Sequence, residues 1–271
     1  MQLRSVTTTE VRLIRDGDEP KPAEFVAANA PADERRAALA GLVDDRGEIV
    51  LPYNCLLVLI GGDVVLVDTG VGAYSGRGGN LERALAAEGL EPGDVTVVVL
   101  THAHPDHIGG LSVDGRPRFA EARHLITRTE WDFWAAALAG GSLPLALAAP
   151  IEEQLRPVER HRLLELVADD VEPAAGIRLV PAPGHTLGHV AVALGTGPEQ
   201  MLYLGDVAVH QLHFEHPTWG TAIETDLRLM METRERLFAT AADQRLLVAA
   251  SHLWQPGRIS RSEAGFRFLP G

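Results

Sequence analysis

Four potential metal ligands lie within six positions of this sequence, in the run Thr-His-Ala-His-Pro-Asp-His at residues 101–107. Three more candidates, His185, Asp206 and His252, each lie at or shortly after the end of an apolar run. Imidazole nitrogens and carboxylate oxygens suit zinc and similar divalent cations. One tetrahedral ion takes about four ligands, so seven suit about two ions that share a carboxylate. Two such ions can activate a water molecule between them, and the sequence therefore points to hydrolysis.

The spacing inside this run also favours metal binding. The apolar run Val95–Leu100 predicts a strand that ends where the ligands begin. His102 and His104 are two positions apart, which places both side chains on one face of an extended chain. Asp106 and His107 are adjacent, and they can reach a second ion if the chain turns into a helix there. Burial of three imidazoles and a carboxylate without a cation would cost several kcal/mol per group.

Short apolar, β-branched runs predict seven buried strands. These are Leu56–Ile60, Val64–Val67, Val95–Leu100, Ile177–Val180, Val190–Leu194, Met201–Leu204 and Leu246–Ala250. Helices are predicted at Leu81–Glu88, Ala135–Leu147 and Asp226–Ala241, and a short helix is one interpretation of Ala32–Leu42. The mixture predicts a layered α/β or α+β fold. Residues 119–175, with their tryptophans and prolines, are expected to form an inserted helical cap.

Composition limits the function classes. The chain has 271 residues and a net charge of −13, a poor match to a nucleic-acid backbone. Cys55 is the only cysteine, so neither an intramolecular disulfide nor a cysteine-based zinc site can form. The N-terminus lacks the apolar stretch of a signal peptide, and no segment approaches the roughly 18 apolar residues of a membrane span. A cytoplasmic protein that binds neither nucleic acid nor membrane is expected.

The ligand run, the three distant ligands and the Asp-Thr-Gly sequence at 68–70 resemble the metallo-β-lactamase superfamily over roughly residues 50 to 255. The resemblance implies a single domain, residues 1–271, built as a four-layer αββα sandwich with two metal ions at one edge of its sheets. It assigns His102, His104 and His185 to the first ion, Asp106, His107 and His252 to the second, and Asp206 to both. It also implies that Asp68 and His189 support the ligands.

Several branches of the superfamily fit poorly. Asp206 is the bridging carboxylate that the resistance β-lactamases replace, and the acidic chain lacks the basic surface of the ribonuclease-type members. The sequence resembles the branch of N-acyl-homoserine lactone lactonases and methyl parathion hydrolase-like enzymes. This branch implies that a metal-bridging hydroxide cleaves a small lactone or ester. Phosphotriester hydrolysis at the same site is the alternative, and a metal-bearing binding protein without turnover is a third reading.

One departure concerns substrate recognition. Many lactonases have a tyrosine shortly after the bridging aspartate, whereas this chain has Val209 and His210. His210 is therefore a candidate catalytic hydrogen-bond donor beside Asp106 and Asp206, and His213 and His216 are expected in a loop at the pocket rim. The predicted substrate pocket contains the aromatic side chains Trp131, Trp134, Phe214, Trp219 and Trp254. Zinc is the expected metal, with iron, manganese and cobalt as alternatives, and related lactonases suggest a homodimer.

Overall fold

Two six-stranded sheets carry most of the apolar residues of this chain. The computed structural model describes residues 9–141, 143–195, 200–263 and 265–271. The strands are β1 (Glu10–Pro22), β2 (Glu48–Ile60), β3 (Asp63–Val67), β4 (Val97–Val99), β5 (Ser112–Val113), β6 (Arg116–Pro117), β7 (Arg123–Thr127), β8 (Leu164–Val167), β9 (Ile177–Pro181), β10 (Val190–Leu194), β11 (Met201–Tyr203), β12 (Leu247–Ala249), β13 (Gly257–Ser262) and β14 (Gly265–Pro270). The α-helices are α1 (Ala32–Ala38), α2 (Leu81–Ala87), α3 (Pro105–Ile108), α4 (Arg128–Ala139), α5 (Leu145–Pro150), α6 (Arg156–Arg160), α7 (Leu212–Glu215) and α8 (Leu227–Asp243).

The first sheet has the strand order β1-β2-β3-β4-β7-β8, and the second has the order β14-β13-β12-β11-β10-β9. Strands β3, β4, β7 and β8 are parallel neighbours, and β11 is parallel to β12. Because the carboxyl ends of parallel strands meet at one edge of a sheet, loops that follow them can converge on a common site.

Alternating side chains divide the interior into layers. Along β2, Leu56 and Val58 face the second sheet, where they join Leu179 and Val192 in one apolar cluster. The intervening Leu57 faces helices α2, α4 and the segment around α6. The outer face of the second sheet packs against α8. Helix, sheet, sheet and helix therefore form four layers, and the predicted αββα sandwich is confirmed.

The expected helical cap is smaller than residues 119–175. Strands β7 and β8 lie inside that range and hydrogen bond within the first sheet, so the helices occupy the segment between them. The predicted helix Ala135–Leu147 is interrupted, since α4 ends at Ala139 and Gly141 adopts a positive φ of 63°. The long hairpin of β1 with β2, most of it unpredicted, pairs residues 10–22 with residues 48–59.

Two glycines fix the loop that follows the ligand run. A Cβ atom at Gly109 would overlap the carbonyl oxygen of Val71, and one at Gly110 would overlap that of Thr69. Side chains at these positions would push the ligand run away from the loop after β3, which carries Asp68. None of the helices in the described ranges is both long enough and apolar enough to span a bilayer.

Candidate metal centre

All seven predicted ligands lie just beyond the carboxyl ends of strands. His102 and His104 follow β4, and the chain then turns into α3, which carries Asp106 and His107. The remaining ligands follow β9, β11 and β12, and are His185, Asp206 and His252. Asp206 lies in a 3-10 turn, Gly205–Val207, directly after β11. The edge shared by the two sheets therefore gathers residues that are up to 150 positions apart (His102 to His252).

The first group of three, here the first subsite, consists of His102, His104 and His185. The Nε2 atom of His102 lies 3.1 Å from Nδ1 of His104, which lies 2.9 Å from Nε2 of His185. All three side chains are buried. Ligands about 2.0–2.1 Å from a tetrahedral zinc ion lie roughly 3.3 Å from one another, so these separations match one coordination sphere.

The second subsite consists of Asp106, His107 and His252. The Oδ2 atom of Asp106 lies 3.9 Å from Nε2 of His107 and 3.5 Å from Nε2 of His252. The two histidines are buried, whereas 24% of the Asp106 side chain is exposed to solvent. The second subsite is therefore open to solvent on the side of Asp106.

Asp206 lies between the two subsites. Its Oδ2 atom is 3.2 Å from Nε2 of His185, and its Oδ1 atom is 3.2 Å from Nε2 of His107. His252 Nε2 also lies 3.2 Å from Oδ1. It lies 3.2 Å from Oδ2 as well. The Asp206 carboxylate is therefore within 3.2 Å of residues from both subsites, which is the arrangement that a shared ligand requires.

Two polar atoms test whether the site fits metal ions. Nε2 of His107 and Oδ1 of Asp206 are buried, and neither forms a hydrogen bond within the described residues. Buried groups of this kind cost free energy unless a partner satisfies them. A cation between them satisfies both, and the donor set of imidazole and carboxylate suits zinc and similar metals.

Hydrogen bonds at Nδ1 orient three of the imidazole rings. The Nδ1 atom of His107 faces Asp68 Oδ2 at 2.9 Å, that of His185 faces Glu224 Oε2 at 2.9 Å, and that of His252 faces the carbonyl of Pro52 at 2.8 Å. An acceptor at Nδ1 keeps the hydrogen there and leaves the Nε2 lone pair for a metal. His189 instead accepts the backbone N–H of Asp206 through its Nε2 atom, at 3.0 Å. His189 therefore contacts the backbone of Asp206 and supports the position of that residue.

The site attracts positive charge. Burial opposes ionisation of Asp206, but the neighbouring His252 and His107 outweigh it and hold the pKa of Asp206 well below its usual range. Burial also opposes the charge on His185, yet Glu224 and Asp206 outweigh it and raise its pKa to about 10. Without metal, protons on such histidines supply the charge that the carboxylates require. Metal binding must therefore displace protons.

Sequence reasoning missed a buried carboxylate that joins two ligand loops. Glu130 on α4 accepts hydrogen bonds from Ala103 N–H (2.9 Å), the Thr186 hydroxyl (2.6 Å) and Gly188 N–H (3.1 Å). The Trp134 indole donates to it as well, at 2.6 Å. The Thr-x-x-Glu spacing of Thr127 and Glu130 is a signal for the start of a helix, and Thr127 caps α4, but this spacing does not reveal where the Glu130 side chain points.

Glu224 was also missed. It lies in the loop before α8, has a 97% buried side chain, and contacts both His185 and Arg234. Burial opposes ionisation of this carboxyl, but His185 outweighs it and lowers its pKa to about 2. A single acidic residue in a loop gives no local pattern that predicts this contact.

The predicted pocket residues lie in different surroundings. His210 and Trp254 line a pocket of about 80 Å³ together with the ligand His252, Leu253 and Phe268. The Trp134 ring lies 5.5 Å from the His104 ring, edge to face. These positions place His210, Trp134 and Trp254 beside the metal centre.

The other three aromatic residues do not face this pocket. Phe214 is fully buried and stacks on Phe268, one layer behind the pocket wall. Trp219 is buried against the N-terminal segment and stacks on His216, and Trp131 packs in the helical layer beneath the Arg156 guanidinium. Side chains close to a ligand in sequence can point into the core, and those of Phe214 and Trp219 do.

The expectation of a rim loop for the later histidines is wrong at His213. This residue lies in α7, has no exposed surface, and its Nε2 atom donates to the carbonyl of Val26 at 2.7 Å. Pro217 does prevent a longer helix, since α7 ends at Glu215. The single turn that remains is enough to direct His213 inward.

Comparison with known proteins places this geometry in a family. The family model described as the metallo-beta-lactamase superfamily matches residues 49–252. A probable metallo-hydrolase of Mycobacterium bovis is 32% identical over 60% of this chain and 59% of its own length. A metallo-beta-lactamase domain-containing protein of Mus musculus is 33% identical over 65% of this chain and 56% of its own. The chain thus spans less than two thirds of the length of these relatives.

Solved structures share the whole fold. A hydrolase of the beta lactamase superfamily, AbOPH, has a TM-score of 0.89 at 24% identity, covering 97% of this chain and 94% of its own. AidC, described as a dizinc quorum-quenching lactonase in complex with a homoserine product, has a TM-score of 0.88 at 26% identity over the same shares. Both agree with the four-layer architecture.

Proposed function

Because the chain belongs to the metallo-beta-lactamase superfamily, we propose that its seven clustered side chains bind two divalent ions and that it hydrolyses a small lactone or ester. The position of Asp206 carries the proposal, since its carboxylate oxygens lie 3.2 Å from Nε2 of His185 in the first subsite and 3.2 Å from Nε2 of His107 in the second. The likeness to a dizinc lactonase, AidC, supports zinc as the metal and a lactone as the substrate class.

In this proposal the residues of the first subsite would hold one ion, those of the second subsite would hold another, and Asp206 would serve as a ligand in common. Bound ions of this kind lower the pKa of water enough to supply hydroxide near neutral pH and stabilise negative charge on oxygen. The chain supplies the positions: the histidines are buried, and the acceptors at Nδ1 of His107, His185 and His252 fix the direction of their Nε2 atoms.

Asp106 and His210 are the proposed proton-handling and hydrogen-bonding residues. Asp106 is the most exposed of the seven ligands, so its free oxygen can pass a proton to a leaving alkoxide. Nδ1 of His210 accepts the backbone N–H of Leu212 at 3.3 Å, which leaves the ring hydrogen on Nε2. Burial lowers the pKa of His210 to about 4, so the ring is a neutral donor at neutral pH.

The pocket beside His252 suits the apolar part of a substrate. Trp254, Leu253 and Phe268 provide apolar walls, and His210 provides a polar group at the same pocket. Pockets for small molecules commonly combine such walls with a few oriented polar groups. An acyl or alkyl group in this pocket would bring the scissile carbonyl next to the second subsite.

Initial rates on a panel of lactones and esters, measured beside an aryl phosphotriester, test the proposal. The proposal predicts that kcat/KM for the best lactone or ester exceeds that for the phosphotriester by more than about a hundredfold, about 2.7 kcal/mol in activation free energy. The reverse preference would establish phosphotriester hydrolysis at the same site. Stoichiometric metal with no turnover on either panel would instead favour a binding protein.

A further inference from the structure

Arg234 is a fully buried cation in the middle of α8. Its Nε atom donates to the carbonyl of Val207 at 2.7 Å, and its Nη1 atom donates to the carbonyl of Trp219. Its Nη2 atom lies 3.2 Å from Nδ1 of His213 and 3.4 Å from Oε1 of Glu224. Every nitrogen of the guanidinium therefore has a partner on a different segment of the chain.

Two of these partners lead directly to metal ligands. Val207 follows the bridging Asp206 in the same 3-10 turn, so the bond to its carbonyl fixes the turn that presents the bridge. Glu224 uses its second oxygen, Oε2, to bind Nδ1 of His185 at 2.9 Å. One guanidinium thus binds the group that supports Asp206 and the group that supports His185. These two ligands are neighbours, since Oδ2 of Asp206 lies 3.2 Å from Nε2 of His185.

Stability alone does not account for this arrangement. A buried ion pair gains little net free energy over well-packed apolar side chains, because both charges lose their hydration. The fork of guanidinium donors instead fixes directions, which the single ammonium of lysine cannot reproduce. His213 contributes to the same geometry, since its Nδ1 accepts from Arg234 and its Nε2 donates to Val26.

We infer that Arg234 is a positioning residue for the metal centre, holding Asp206 and His185 at coordinating distance through the Val207 carbonyl and the Glu224 carboxylate. The inference rests on the proposed two-ion site. It predicts that loss of the guanidinium weakens metal binding even where the fold survives. Supporting groups of this type typically contribute about 10-fold to 100-fold to metal affinity.

The test is a Co²⁺ titration of the full chain against a competing chelator, with the visible spectrum of bound Co²⁺ as a second readout. The variants are Arg234→Lys and Arg234→Met. Arg228→Met is the matched control, because Arg228 lies on the same helix in an exposed pair with Glu232. Both Arg234 variants are expected to bind Co²⁺ about 10-fold to 100-fold more weakly and with an altered spectrum, whereas the control keeps the wild-type values.

Wild-type affinity and spectrum in folded Arg234 variants would overturn the inference, and so would a lower melting temperature with unchanged Co²⁺ binding. If neither variant folds, Glu224→Gln decides, because an amide has one acceptor oxygen and cannot accept from both His185 and Arg234, which uncouples the arginine from the ligand while leaving it in place. Weaker binding in that variant supports the inference, and wild-type binding overturns it. A wild-type chain that binds no Co²⁺ would overturn the proposed function itself, which separates the two failures.

Discussion

The carboxylate of Asp68 lies directly behind His107, with Oδ2 2.9 Å from the imidazole Nδ1. Its Oδ1 atom accepts the backbone N–H of Thr101 at 2.8 Å and the Thr101 hydroxyl at 3.0 Å. Asp68 has a positive φ of 62°, which aspartate tolerates better than most residues. One buried side chain therefore orients a ligand of the second subsite and anchors the start of the ligand run.

Asp68→Asn should weaken metal binding at the second subsite. The amide keeps the size of the side chain but loses the charge that holds the hydrogen on Nδ1 of His107, so affinity should fall by about 10-fold to 100-fold. Chelator competition measures this loss. Asp114→Asn is the matched control, because Asp114 is exposed and also has a positive φ, 49°. Equal metal affinities in the two variants would contradict the assigned role.

Glu130→Gln should loosen the first subsite. The carboxylate of Glu130 accepts hydrogen bonds only, whereas a glutamine would turn an N–H₂ group towards some of the same donors. Those donors would lose their acceptor, and an unsatisfied buried group costs about 1–3 kcal/mol. Urea unfolding of the metal-free protein should show that loss, together with weaker binding of one ion. Glu121→Gln changes an exposed glutamate and serves as the control. An unchanged unfolding midpoint in Glu130→Gln would show that Glu130 does not stabilise the loops of the first subsite.

Acid should destabilise the protein partly through His124. Burial lowers the pKa of His124 to about 4, below the ordinary histidine value of 6.5. Between pH 6.5 and pH 4 His124 is therefore protonated in the unfolded chain but neutral in the folded chain. Its contribution to the free energy of unfolding is complete above pH 6.5 and is lost as the pH falls towards 4. Between about pH 7.5 and pH 5 the loss is of the order of 2 kcal/mol.

His124→Asn removes this titration and keeps an N–H group near the carbonyl of Ala122, to which Nδ1 of His124 donates at 3.1 Å. Urea unfolding in the presence of a chelator, at both pH values, should show a smaller loss of stability in the variant than in the wild type. His161→Asn, at an exposed histidine, is the matched comparison. Identical losses in His124→Asn and wild type would show that His124 contributes nothing.

Trp254→Ala should raise KM more than it lowers kcat. The side chain is 52% exposed and lines the pocket beside His252, so its loss removes apolar contact with substrate rather than a metal support. We expect the ratio kcat/KM to fall by about 10-fold, roughly 1.4 kcal/mol, with unchanged metal content. Trp131→Ala, in the helical layer, should leave KM near the wild-type value. Wild-type kinetics in Trp254→Ala would place the substrate elsewhere.

The convergence of the seven candidate ligands could be predicted from the sequence, because four of them lie within one short run. The run from His102 to His107 follows a β-branched strand, and the helix expected after Pro105 forms as α3 and carries Asp106 and His107 to the second subsite. The bridging role that we propose for Asp206 rests on resemblance to a family, since no local pattern in the sequence shows which ligand lies between the two subsites. The four-layer fold was predicted by the same route.

Glu130, Glu224 and Arg234 escaped prediction for a physical reason. Their importance lies in hydrogen bonds to residues 10 to 56 positions away in the sequence, and such contacts form only once the chain has folded. The aromatic predictions failed at Phe214 for a related reason, because nearness to Asp206 in sequence does not determine the direction of a side chain. Short strands such as β8, four residues long, were hidden among the helical signals around them.

The proposed two-ion centre is tested most directly by the metal content of the purified chain. Elemental analysis of wild type and Asp206→Ala, with turnover measured on the same samples, tests it. We predict about two divalent ions per wild-type chain, and loss of both metal and turnover when the shared carboxylate is removed. Wild-type metal content and wild-type turnover in Asp206→Ala would contradict the two-ion centre.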